Sequence, residues 1–259
     1  MPPSFYVPDG DGFESTDWTR GPWDPRFQHA GPPAALMARA IERLDGGEEF
    51  TVGRFTVELL RSIPVGRLTV AAVMARPGKR VQLAEATMSG EGGVLAVARA
   101  WRIRREPTPA EASQPEPPPF PGPEVLAPGP AFDPWKGPSY FSAVEWREAR
   151  GSFMAAGPAT TWMRMRGVLV EDEAPSPITR VLVAADSGNG ISMELPLETH
   201  VFINMELTVH LFAEPIGEWV CLDARTRIGS EGIGLASSVL YDTRRRIGLG
   251  NQSLLVRPR

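Results

Sequence analysis

The chain has a single cysteine in 259 residues, Cys221, so neither an intrachain disulfide nor a thiolate metal cluster can form. Within WVCLDA that cysteine reads as a small buried strand residue. No stretch approaches the roughly 18 uninterrupted apolar residues of a membrane-spanning helix. The opening MPPSFYVPDGDG has neither a basic leader nor the apolar core of a signal segment. A cytoplasmic protein with no membrane partner is the expectation. Basic charge is scarce too: 27 Lys and Arg stand against 31 Asp and Glu, a formal net charge of −4. No stripe of Lys and Arg interleaves with aromatic residues, so nucleic acid is not an expected partner. A Gly-x-Ser-x-Gly elbow is missing, which argues against a serine hydrolase. GSEGIG at 229–234 is glycine-rich but lies between two expected strands, where a hairpin turn fits better than a phosphate loop.

What the chain does have is a normal apolar fraction of 42% and abundant proline and glycine, 27 and 26 residues. That is enough for a sizeable core. Residues 106–138 are Pro-rich and carry neither helix nor strand periodicity, which marks a connector. It separates an N-terminal unit, 1–105, from a C-terminal unit, 139–259. Apolar periodicity and Gly/Pro punctuation predict, in the first unit, a helix at about 32–45 and strands at about 50–61, 66–76, 80–90 and 93–104. In the second they predict a strand near 160–170 and a helix near 177–186. Strands follow near 200–212, 217–227, 232–242 and 246–257.

The two units resemble each other. FTVELLRSIPVGRLTVAAVMAR (55–76) lies over ELTVHLFAEPIGEWVCLDARTR (206–227) without a gap, pairing Pro64 with Pro215 and Gly66 with Gly217. Two copies of a strand meander with one helix each give an α+β protein in which each antiparallel sheet wraps a central helix. Side chains alternate faces along a strand. Phe55, Val57 and Leu59 of the first copy match Glu206, Thr208 and His210 of the second, so polarity inverts. Extended by one step, Asn204, Glu206, Thr208 and His210 form a polar stripe. If the copies share backbone geometry, the stripe faces a helix or a cleft, where a carboxylate persists only when paired, protonated or used. The alternative is that this strand turns that face to water, and a one-residue register slip would exchange the faces.

A second feature is the stretch QHAGPPAALMARAIERL (28–44), a helix that begins with no Ser, Thr, Asp or Asn cap. Leu36, Ala40 and Leu44 recur at helical spacing, and Pro32 or Pro33 suits the first turn. The uncapped start leaves amides of Gly31 or Ala34 available to a ligand. His29 is either part of that site or merely bonded to the preceding loop. His200 reads as a strand-edge residue, and Arg244, Arg245 and Arg246 as a solvated hairpin tip or a clamp for an anionic ligand.

GPWDPRFQHAGPPAALMARAIE, NMELTVHLFAEPIGEWVCLDARTRIGSEGIGLASSVLYD and NQSLLVRPR, in that order, resemble the thioesterase-like double-hotdog family, which includes the type II acyl-CoA thioesterases. The resemblance implies two hotdog folds in one chain, acyl-CoA bound at their junction, and a hydrolase that needs neither cofactor nor metal. It also implies an Asp, a Ser or Thr and a Gln that hold the attacking water. Those roles fall on Glu206, Thr226 and Gln252, with Glu replacing Asp and the His-Arg pair of the following turn missing. The family's His-Gly-Gly is His29, Ala30 and Gly31 here.

The reading is therefore a fatty acyl-CoA thioesterase in which Glu206 is general base on a water held by Thr226 and Gln252. His29, Gly31, Ala34, Asn204 and Thr208 contact the substrate, and helix-start amides stabilise the oxyanion. A homo-oligomer is the family-level expectation. The competing readings are an acyl-CoA or acyl-ligand binding protein without hydrolysis, and a hydratase or dehydratase using a carboxylate with His29 or His210.

Overall fold

The computed structural model describes residues 3–108, 115–132 and 134–259. In chain order the first unit contains β1 (Ser4–Asp9), β2 (Gly12–Ser15), α1 (Gly31–Glu42), β3 (Phe50–Leu59), β4 (Arg67–Arg76), β5 (Val81–Gly90) and β6 (Gly93–Arg104). The second contains α2 (Tyr140–Ala143), β7 (Val144–Arg150), β8 (Ala159–Met165), β9 (Val168–Val170), α3 (Pro177–Ala185) and α4 (Gly188–Ile191). There follow β10 (His200–Asn204), β11 (Glu206–Leu211), β12 (Val220–Ile228), β13 (Ile233–Tyr241) and β14 (Arg246–Pro258). The four-strand meander of the first unit falls within a residue or two of its expected bounds. The short hairpin β1–β2 and strand β7 have no clear sequence signal.

α1 lies against β4, β5 and β6, while α3 lies against β8, β11 and β12. The two helices pack on each other and run antiparallel. Gly31 opens α1 beside the end of α3, where a Cβ would come within 2.5 Å of the Val183 carbonyl oxygen. At the other end, Ser176, the N-cap of α3, donates to the Glu42 carboxylate at 2.6 Å. α1 is buried on all sides from Gly31 to Ala38, and Ile41 is buried as well. Its alanines are thus explained by two packing surfaces, a sheet and a helix, rather than by one amphipathic stripe of Leu36, Ala40 and Leu44. Among these only Leu36 is fully buried.

The two expected sheets are not separate. β11 pairs antiparallel with β3, matching Thr208 to Thr56 and His210 to Arg54, and strand order runs β7-β8-β12-β13-β14-β11-β3-β6-β5-β4-β2-β1-β9. Each half would otherwise present an unpaired edge of N–H and C=O groups, and joining them satisfies both. The predicted strand at 160–170 divides into β8 and β9, and β9 crosses to pair in parallel with β1 of the other unit. The aligned glycines of the repeat both take a positive φ, +141° at Gly66 and +76° at Gly217, a range that side chains rarely adopt.

The connector carries no strand among its described residues, and its residues 109–114 and 133 lie outside the description. It is nonetheless held closely to the second unit. Trp162 donates to the Pro121 carbonyl at 2.9 Å, and Arg147 donates to the carbonyls of Pro123 and Leu126. Cys221 is fully buried in β12, and residues 229–232 form the β12–β13 turn. Among the described residues no helix is long and apolar enough to cross a membrane, and no three His, Cys, Asp or Glu side chains gather as a metal site.

Candidate active site

Where α3 ends, its last residues meet the start of α1. Asp186 is the C-cap of α3 and only 4% exposed. A carboxylate at a helix C-terminus opposes the macrodipole, so something else must hold it there. The Asn204 amide donates to Asp186 Oδ1 at 2.8 Å, and Gln252 Nε2 donates to the same oxygen at 3.2 Å and to the Asp186 carbonyl at 3.0 Å. His29 Nδ1 stands 2.9 Å from Oδ2. A ring nitrogen that donates to a carboxylate cannot also accept, so the Gly31 amide, 3.2 Å from the same Nδ1, has no acceptor there in that tautomer.

The supporting layer is equally specific. The His29 ring stacks on Tyr140, with centroids 3.6 Å apart and planes within 5°. The Tyr140 hydroxyl donates to the Val183 carbonyl at 2.6 Å and takes a bond from Ser187 Oγ at 2.8 Å. Complete burial pushes the Tyr140 phenol far above its ordinary pKa, so it remains a neutral donor. Gln252 Oε1 accepts the Asn189 amide at 3.0 Å, which fixes which end of the Gln252 amide faces Asp186. Glycine is required at the start of α4, because a Cβ on Gly188 would sit 2.8 Å from Ser238 Oγ and 3.0 Å from Gln252 Oε1.

Asp186, His29, Asn189 and Asn204 open onto a cavity of about 770 Å3 between the two units. Its wall is largely apolar and aromatic, including Trp23, Phe132, Phe141, Trp146, Phe153 and Phe202. A concave apolar site with a few convergent polar groups suits a ligand with one reactive polar centre on an apolar body.

The residues expected from the sequence do not all meet. Gln252, His29 and Asn204 converge on Asp186. Thr226 is buried beside Ser192, its hydroxyl 2.8 Å from Ser192 Oγ, in the same cross-strand row as Ala236 and Gln252. Glu206 is elsewhere. Its Oε1 accepts the Ser253 amide at 2.7 Å and its Oε2 accepts the Thr208 hydroxyl at 3.0 Å. Thr208 lies on the β11–β3 seam, 3.1 Å from the Thr56 hydroxyl.

The cause is a β-bulge. Asn204 pairs with Leu254 on β14, whereas Thr208 pairs with Asn251, so one extra residue sits between them around Met205. The bulge ends the regular alternation, and the stripe divides. Asn204 turns inward to Asp186, while Leu207 and Val209 become the buried face of β11 and His210 is exposed. The expected single strand at 200–212 is therefore two strands, and Glu206 tidies the irregular backbone at Ser253. The helix start also differs from expectation: the Ala34 amide bonds the Ala30 carbonyl at 3.0 Å, so Ala34 has no donor to offer, and Gly31 is a helix-packing residue.

Asp186 was not singled out by motif or periodicity. A signal did exist in VLVAADSGNG: an acidic residue at the C-terminal end of an apolar helix, where charge-dipole preference favours a cation. Arg244–Arg246 sit at the β13–β14 turn, with the amides of Arg244 and Arg245 bonded to the Asp242 carboxylate, outside the cavity.

Two helices packed together inside a long curling sheet, with a polar cluster where one helix ends and the other begins, define a hotdog protein of the double type. Residues 19–103 match the acyl-CoA thioesterase N-terminal domain and residues 123–256 the acyl-CoA thioesterase C-terminal domain. The chain belongs to this acyl-CoA thioesterase family. No curated protein matches its sequence significantly. Among solved structures it is similar to a conserved hotdog-fold protein of unknown function from Alicyclobacillus acidocaldarius, at 17% identity and a TM-score of 0.75, over 97% of this chain and 95% of that one. It is also similar to a TesB protein of Mycobacterium avium subspecies paratuberculosis, at 14% identity and a TM-score of 0.70, over 95% and 93% of the chains. An acyl-CoA thioesterase II from Mycobacterium marinum superposes at 14% identity and a TM-score of 0.64, over 97% and 93%.

Proposed function

We propose that the protein hydrolyses acyl-CoA thioesters to free acid and coenzyme A, with Asp186 in the role that the sequence reading had placed on Glu206. The observation that carries this reading is the buried Asp186 carboxylate, held by His29, Asn204 and Gln252 at the wall of an apolar cavity. A carboxylate has about four lone-pair sites. Three are taken by these donors, and the fourth accepts a water. Asp186 draws a proton from that water as its oxygen attacks the thioester carbonyl. The tetrahedral intermediate collapses, the carbon–sulfur bond breaks, and the proton passes to the departing thiolate. Gln252 acts as a positioning residue, since its other end is anchored by Asn189.

The test is thiol release from an acyl-CoA series with wild type, Asp186→Asn and Glu206→Gln. Loss of a general base lowers kcat by about 10²- to 10⁴-fold, so Asp186→Asn is expected to fall in that range. Glu206→Gln is expected to stay within a few fold of wild type. Equal rates for wild type and Asp186→Asn would sink the assignment. Tight acyl-CoA binding with no hydrolysis by the wild type would instead support a binding protein.

A further inference from the structure

The cavity has an internal order that the hydrolysis reading does not use. His29 stacks on Tyr140 at one end. The Phe141 ring lies 6.3 Å from the His29 ring, centre to centre, and Phe132 lies 4.7 Å from Phe141, edge on. Phe153 meets Phe132 at 5.8 Å, and Trp146 stacks near Phe141 at 5.9 Å. All four rings line the cavity. Of these four rings Phe141 meets His29, Phe132 and Trp146 meet Phe141, and Phe153 meets both Phe132 and Trp146. The charged residues of the cavity wall other than Asp186 are Arg61, Glu198 and Arg259, and all three are exposed. A polyanionic carrier belongs with water and the arginines, and an apolar acyl group belongs among the rings.

Phe132 belongs to neither sheet. It comes from the Pro-rich connector, between two backbone anchors: the Gly129 amide donates to the Trp146 carbonyl at 2.7 Å, and Trp135 donates to the Gly21 carbonyl at 2.8 Å. This places an aromatic side chain from the connector in the ring cluster, one contact past Phe141.

We infer that Phe132 is the specificity-determining residue of the site: its ring ends an acyl chamber that begins at His29, and the chamber admits a medium-length acyl chain. The inference rests on the acyl-CoA reading above. The two ring steps, 6.3 Å and 4.7 Å, put Phe132 at most about 11 Å from the His29 ring. Contact with the ring face takes about 4 Å, and an extended chain advances roughly 1.25 Å per carbon, which leaves room for about five to six carbons at most. A chain longer than this must displace Phe132 and the connector segment that holds it.

The experiment measures kcat/KM for butyryl- to palmitoyl-CoA with wild type, Phe132→Ala and Phe132→Trp. It is paired with Kd values for the corresponding S-alkyl-CoA thioethers, which cannot be hydrolysed. Wild type is expected to peak at about six carbons and to lose at least tenfold by palmitoyl-CoA. Phe132→Ala should move the peak longer by two to four carbons, and Phe132→Trp should move it shorter. In the thioether series each added methylene should tighten binding about fourfold until the chamber is full. The plateau should come later in Phe132→Ala and earlier in Phe132→Trp. Opposite shifts of the two variants separate this role from general loss of folding, which would depress every chain length alike. Profiles of both variants that superpose on wild type after scaling would overturn the inference. If no thioester is hydrolysed by wild type, the hydrolase reading fails, and the thioether series still decides the role of Phe132.

Discussion

Asp186 and Glu206 are both partly enclosed carboxylates on the second unit, and what separates them is where their lone pairs point. Glu206 spends one oxygen on a backbone amide and the other on Thr208, both outside the cavity. Asp186 gathers three side-chain donors at the cavity wall and retains acceptor capacity. The same geometry predicts the effect of altering Tyr140. Tyr140→Phe keeps the ring under His29 but leaves the Val183 carbonyl without its donor. A buried unsatisfied acceptor costs about 1–3 kcal/mol, to be read as a lower urea midpoint at unchanged slope. Thiol release should fall as well if Tyr140 positions His29. At this scale the sequence was partly legible. His29, Asn204 and Gln252 could be named, since each is a polar residue within an otherwise apolar segment or within the family-like motifs. Asp186 could not, because a single Asp after a helix looks like an ordinary polar terminus until the partner groups from α1, β10 and β14 are in place around it.

The elements that matter most are α1 and α3 and the contact between them. Gly31 has no room for a methyl group at 2.5 Å from the Val183 carbonyl oxygen. Gly31→Ala should force the helices apart and destabilise by about 1–3 kcal/mol, as overpacking does, measured by denaturant unfolding. At the opposite end, Arg39 and Arg43 bind Glu173 in the loop that leads from β9 into α3. The Arg39 hydrogen bond, with charge from Arg39 and Arg43, holds the Glu173 carboxyl below its ordinary value of 4.5. A depressed carboxyl contributes stability that is fully present above the unfolded value and is lost as pH falls through the folded one. Glu173→Gln should therefore show a shallower loss of stability on acidification below about pH 5 than wild type, followed by urea midpoints across that range. Helix positions and the first-unit strands were readable from period and punctuation. The break at Met205 was not, because a bulge inserts one residue without leaving a compositional mark.

For the whole molecule, continuity of the sheet through β3 and β11 and the helix pair between the halves make the two units interdependent. β9 adds a further link, since it reaches across to β1. One cooperative thermal transition is expected, with calorimetric and van't Hoff enthalpies agreeing. Two resolved transitions would show that the halves unfold independently. The Pro-rich connector is part of this assembly, because Trp162, Arg147 and the Gly129 amide fasten it to the second unit, and Phe132 contributes to the cavity.

The sequence by itself determined the local matters: which segments form helices and strands, that they recur in two copies, and that the motifs resemble acyl-CoA thioesterases. These depend on periodicity, turn chemistry and short-range pattern, which are written along the chain. Only the tertiary structure decided which carboxylate stands at the cavity wall and where the polar stripe points. A one-residue bulge at Met205 exchanges strand faces, and Asp186 acquires its meaning from His29, Asn204 and Gln252, residues far apart in the chain that meet only when α1 packs against α3 and β14 closes beneath them.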